Sequence, residues 1–147
     1  MKRPHYGQAV IETALTLPLL MAMAIGFVAL LVYIEANLEL SSATGLAAAS
    51  AASAPPDPTV SRRYAETTFD GTLNGYAYLR NDHLDTAGCR RSLNPASSPS
   101  DYVVSCIGRA TLLFRHTPVA ILGFDNVALS AKATAYAPRY RSRPGGI

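Results

Sequence analysis

The chain has 147 residues, 49% of them apolar and 16% charged, with a formal net charge of +3. That length allows one modest domain, less any part that lies in lipid. The charge offers no nucleic-acid reading: without Lys2 and Arg3, 11 basic residues face 10 acidic ones, and no basic stripe is interleaved with aromatics.

The first seven residues, MKRPHYG, form a short basic leader (1–7). The run that follows, Gly7 to Ile34, is GQAVIETALTLPLLMAMAIGFVALLVYI, with Glu12 as its one acid. From Thr13 to Ile34 there are 22 residues without a charge. As a helix these span about 33 Å, matched to a hydrocarbon core of about 30 Å. Lys2, Arg3 and His5 precede the run, Glu35 and Glu39 follow it, and the next positive charge is Arg62. This bias predicts a cytoplasmic N-terminus and an extracytoplasmic bulk. A cleaved secretory signal fits less well. The run exceeds the usual apolar region of about 7–15 residues, and Pro55 follows the Ala52-Ser53-Ala54 pattern at once.

The helix is expected to continue from Ala9 to Ser53, about 67 Å in all, with Pro18 inside it as lipid-embedded helices tolerate. Ala43, Ala47 and Ala51, and also Ala22 with Gly26, recur at four-residue spacing, which permits close helix approach. Pro55, Pro56 and Pro58 end this stalk (8–54) and open an outer domain (55–138). Asp57-Pro58 suits the start of a second helix, Thr59 to Leu73, with Val60, Tyr64, Ala65 and Phe69 on its inner face. Asn81 to Ser100, with its TAG and NPASSPS segments, predicts an irregular exposed loop. Three strands are expected: Tyr102 to Cys106, Ala110 to His116, and Val127 to Tyr136. The last alternates, with Val127, Leu129, Ala131, Ala133 and Ala135 on one face. Thr117 to Asn126 connects the last two through Ile121, Leu122 and Phe124, and 139–147 forms a flexible basic tail. The expected architecture is α+β: a long transmembrane helix, then one helix packed on a three-stranded antiparallel sheet.

Glu12 is the prime candidate for a functional side chain. A carboxylate at the edge of a membrane helix is costly and implies a partner. Were the chain cut between Gly7 and Gln8, Glu12 would be the fifth mature residue, and a new ammonium would lie at helical distance from it, on the same or a neighbouring subunit. Cys89 and Cys106 both fall on the extracytoplasmic side, where one disulfide is the simplest outcome. Metal ligation by Asp82, His83, Asp85 and Cys89 has no recognised spacing, and free thiols remain open. Asp82 and Asp85 fit turn positions better than an acid/base pair. His5, His83 and His116 have no nucleophile signature beside them, and no hydrolase, phosphate-loop or zinc-protease motif occurs. No enzyme activity and no cofactor are expected.

A short basic leader, a glycine, four residues, a glutamate and an apolar helix is how type IV pilin-like precursors begin. Within that group GQAVIETALTLPLL resembles the TadE-like family of pilus-assembly pseudopilins, through Gly7, Gln8, Ile11, Glu12, Ala14, Leu15 and Pro18. Tyr6 and Thr13 depart from the residues common in that family. The resemblance implies processing after Gly7 by a prepilin peptidase and packing of the helix with other pilin or pseudopilin subunits. It also implies contact with the inner-membrane assembly platform of a Tad-type secretion system, in the bacterial cytoplasmic membrane. The rival reading is a single-pass anchored binding module with no such processing.

Overall fold

A computed structural model describes residues 6–55, 57–76, 78–85, 89–93, 102–114, 119–120, 123 and 126–137. The leader residues Lys2, Arg3 and His5, the NPASSPS segment, His116, the anchors Ile121, Leu122 and Phe124, and the tail 139–147 lie outside the described residues.

One helix, α1 (Tyr6–Ser53), runs unbroken for 48 residues through Pro18. Proline there removes the N–H that would bond the Ala14 carbonyl. Nearby, the Thr16 hydroxyl donates to the Glu12 carbonyl at 2.9 Å. α1 is followed by α2 (Pro58–Leu73), which starts where Asp57 caps it. The Asp57 carboxylate accepts from the backbone N–H of Thr59 at 2.8 Å and of Val60 at 3.4 Å. These bonds, to Thr59 first, favour the charged form and lower its pKa. α2 packs antiparallel to the outer part of α1: the Ser61 hydroxyl donates to the Ala51 carbonyl at 2.9 Å, and the Ser50 hydroxyl to Tyr64 O at 3.4 Å. Its buried face is Ala65, Phe69 and Leu73. Tyr64 is expected on that face but is 57% exposed. Ala65 and Phe69 are buried as expected, and the stripe runs on to Leu73 at i, i+4 and i+8, leaving Tyr64 beside it.

The sheet has four strands, not three: β1 (Leu79–Leu84), β2 (Arg90–Leu93), β3 (Tyr102–Leu113) and β4 (Asn126–Ala137). β4 pairs along one whole edge of β3, from Asn126 opposite Leu113 to Ala137 opposite Tyr102. The other edge of β3 is shared. β1 pairs with its second half and β2 with its first, both antiparallel. β1 and β2 are therefore two pieces of one interrupted edge strand. Asn81 to Leu84 and Arg90 to Leu93, expected as loop, belong to it.

The two strands expected at Tyr102–Cys106 and Ala110–His116 are one strand, β3, passing through Gly108. A glycine inside a strand can mark a close backbone approach as well as a break. Here it marks the approach: a Cβ at Gly108 would collide with the Thr44 hydroxyl and come within 2.9 Å of the Phe69 ring. β3, α1 and α2 meet at that point. The inward face of β3 is Val104, Cys106, Gly108, Ala110 and Leu112. On β4 it is Val127, Leu129, Ala131, Ala133 and Ala135, as the alternation predicts.

The core therefore lies between the sheet and a helical layer made of α2 and the outer half of α1. It is built from small residues. Ala43, Ala47 and Ala51 are all 0% exposed, and ten of the 21 buried apolar residues among those described are alanine. Small side chains bury little area each, so their contribution depends on the short helix-to-sheet distance that Gly108 permits. The core spans both sides of residues 54 and 55, because Ala36 to Ala52 of α1 supply its helical wall.

Candidate functional site: the uncovered apolar half of the first helix

The inner part of α1 is apolar around its full circumference. Leu15 is 73% exposed, Leu19 62%, Met23 65% and Phe27 61%. Over this stretch the most apolar 18-residue window has a mean hydropathy of 2.5, and none of it is buried by the rest of the chain. A helix that is apolar on every side needs an apolar surrounding, either a protein core or a membrane. Among the described residues the core reaches it only at Ile25, Ala29 and Val32, and the helix is long and apolar enough to cross a membrane.

Glu12 sits at the N-terminal edge of this surface, exposed, between Ile11 and Leu15, which are 64% and 73% exposed. Gly7 and Gln8 belong to the first turn of α1, which begins at Tyr6. N–H groups in a first turn have no intrahelical partner. Gln8 and Glu12 stand four residues apart along α1. Pro18 follows six residues after Glu12, still within the helix.

The other sequence candidates lie at the far end of the molecule. Cys89 and Cys106 form a disulfide. Cys89 immediately precedes Arg90, which pairs with Ser105, so the bridge crosses directly from the gap in the edge strand to β3. The Arg91 guanidinium lies 5.3 Å from the Tyr102 ring centre in the same corner, a cation–π arrangement. With Cys89 committed to sulfur, the ligand set Asp82, His83, Asp85 and Cys89 loses its soft member. Asp85 pairs with Arg109 at 3.1 Å. Among the described residues no group of three or more His, Cys, Asp or Glu converges on a metal-sized site.

Two contacts escaped sequence reasoning. The Tyr76 phenol hydrogen-bonds to the Glu39 carboxylate, and this bond, aided by burial and by the charges of Glu39 and Glu35, pushes its pKa up to about 12. It clamps the chain after α2 to the point where α1 leaves the uncharged run. The second is a stripe on α1: Ile25, Ala29 and Val32 are half-buried against the core, while their neighbours stay open. An apolar tyrosine after a helix gives no signal for the first. A uniformly apolar run hides the second.

No protein-family model matches the chain, and no curated protein or solved structure matches it.

Proposed function

We propose that the chain is a single-pass pseudopilin of a Tad-type pilus or secretion apparatus. The observation that carries the reading is the inner part of α1, residues 10–34: apolar on every face, exposed apart from the half-buried stripe Ile25, Ala29 and Val32, with Glu12 alone among acids at its start. In this reading Thr13 to Ile34 crosses the bacterial cytoplasmic membrane with the N-terminus inside. A prepilin peptidase cuts between Gly7 and Gln8, and Glu12 pairs with a freed amine on its own or an adjacent subunit. Moving such a helix out of lipid is tolerable only if its apolar surface is reburied against other pilin helices. Pairing of the carboxylate with the amine fixes the register of that packing, since an unpaired charge in a low-dielectric setting is costly. The outer domain, closed by the Cys89–Cys106 bridge, acts in assembly rather than in catalysis.

Replacing Glu12 tests this role. Glu12→Ala should insert into the membrane at the wild-type level yet lower the pilus yield at least tenfold, measured by shearing and quantifying surface filaments. Wild-type piliation in that variant would remove Glu12 from the mechanism.

A further inference from the structure

Both helices pack against one face of the sheet, where β3 presents Cys106, Gly108 and Ala110. Among the described residues nothing covers the other face: Arg109, Ser130, Lys132, Thr134 and Tyr136 are all exposed. Strand register decides what that face presents, because paired residues of neighbouring strands point the same way. His83 of β1, Arg109 of β3 and Ser130 of β4 form one row across three strands. On one side of it the row is Arg80, Thr111 and Ala128, and on the other Ile107 stands beside Lys132. One row beyond, Arg90 and Thr134 flank Ser105.

Four permanent cations therefore share this face: Arg80, Arg90, Arg109 and Lys132. One acid lies beside them, Asp85, which accepts from the Arg109 guanidinium at 3.1 Å. Asp82 lines a different groove, with Asp70 and Asn74 at the end of α2. The central rows enclose an open trough of about 480 Å³, lined by His83, Ile107, Arg109, Thr111, Ala128 and Ser130. A single ion would leave most of it empty. The volume is that of sites for small organic ligands, about 300–1,000 Å³.

The side chains of the trough suit two kinds of ligand group. The Arg109 side chain is 56% exposed and is held from one side by Asp85. Its remaining N–H groups suit a carboxylate, which a guanidinium binds through two parallel bonds. The hydroxyls of Thr111 and Ser130 both donate and accept, as ligand hydroxyls require. We propose that this trough binds an acidic sugar: a uronate carboxylate on Arg109 and ring hydroxyls on Thr111 and Ser130. A uronate polysaccharide would run on past Lys132 and Arg90, which extend the positive charge along the face. Other polyanions fit less well. Single-stranded nucleic acid uses successive aromatic platforms, and Tyr136 is the one aromatic that the four strands place on this face. An acidic protein segment needs an apolar anchor in a pocket, and the apolar members here, Ile107 and Ala128, are half-buried or small. The site involves neither Gly7 nor Glu12, so it stands or falls apart from the pseudopilin reading.

Calorimetric titration of the full chain in lipid nanodiscs tests it. The probes are a linear oligouronate, a neutral glucan of equal length, a glutamate peptide of equal charge and an oligothymidylate. The oligouronate should bind at least tenfold tighter than each of the others. Arg109→Gln should weaken that binding at least tenfold, and Ser130→Ala, which removes one exposed hydroxyl and keeps the test open should Arg109→Gln unfold, about threefold. Arg63→Gln removes the same charge from the exposed side of α2 and should leave binding unchanged. Equal losses in Arg63→Gln and Arg109→Gln would reduce the effect to net charge and overturn the site. So would oligouronate binding that neither Arg109→Gln nor Ser130→Ala alters. No oligouronate binding, or equal binding of any other probe, would overturn the acidic-sugar assignment.

Discussion

The two halves of α1 have contrasting fates. From Val10 to Ile34 the large side chains point in every direction and most stay open, Ile25 and Val32 being half-buried. From Ala36 to Ala52 a single face is buried, by small residues packed under a sheet and a second helix. The inner half is more apolar and yet, among the described residues, touches the core only along the Ile25, Ala29 and Val32 stripe. The outer half is alanine-rich and forms a core wall. Burial therefore follows partner geometry rather than hydrophobicity alone: Gly108 and the alanines let surfaces approach, whereas Leu, Met and Phe on all sides of one helix leave no single surface for the outer domain to cover.

The sharpest way to break that contrast is to truncate one leucine in each half. Leu40 is 0% exposed and Leu30 is 52% exposed. Leu40→Ala should cost about 3–4 kcal/mol of outer-domain stability. Leu30→Ala should change it by less than about 0.5 kcal/mol. Chemical unfolding in detergent, followed by tyrosine near-ultraviolet dichroism, measures both, and equal costs would erase the distinction.

Next in size is the disulfide. Replacing Cys89 and Cys106 together by serine should cost about 3 kcal/mol through the freed unfolded chain. The same change should expose β2 amides to hydrogen exchange before those of β4, since β2 has only four residues in its ladder. Gly108→Ala comes third. The added methyl meets the Thr44 hydroxyl and the buried Phe69 ring, an overpacking worth about 2 kcal/mol. Thermal melts of the purified variant read it directly.

The smallest effect is the Tyr76–Glu39 clamp. The folded pKa of Tyr76 lies above its ordinary value of 10.0, at about 12, chiefly through the hydrogen bond to Glu39. Its contribution is therefore complete below pH 10 and is lost as pH rises toward and through 12. Wild-type protein should lose melting temperature over that window beyond the loss seen in Tyr76→Phe. Parallel curves for the two would exclude the clamp.

Parts of this were legible in the sequence for identifiable reasons. A long apolar run without charges specifies α1, the Asp57-Pro58 pair marks the start of α2, and alternation from Val127 to Ala135 shows the inner face of β4. The interrupted edge strand was hidden because Asn, Asp and Gly around it favour turns, and its pairing depends on β3 rather than on its own residues. β3 looked like two strands because Gly108 has two structural meanings in a strand, and only the presence of Thr44 and Phe69 opposite it decides between them. At the candidate site, Glu12 stands out as a lone acid. The Ile25–Ala29–Val32 stripe does not, since periodicity cannot appear where every position is apolar.

The mature N-terminus is the most direct test of the account. Intact-mass and N-terminal peptide analysis of the protein from cells with and without a prepilin peptidase should find Gln8 as the first residue in the former and Met1, or the leader intact apart from it, in the latter. A leader that is uncut in both, with the protein still in the membrane, would contradict the pseudopilin reading and leave an anchored domain.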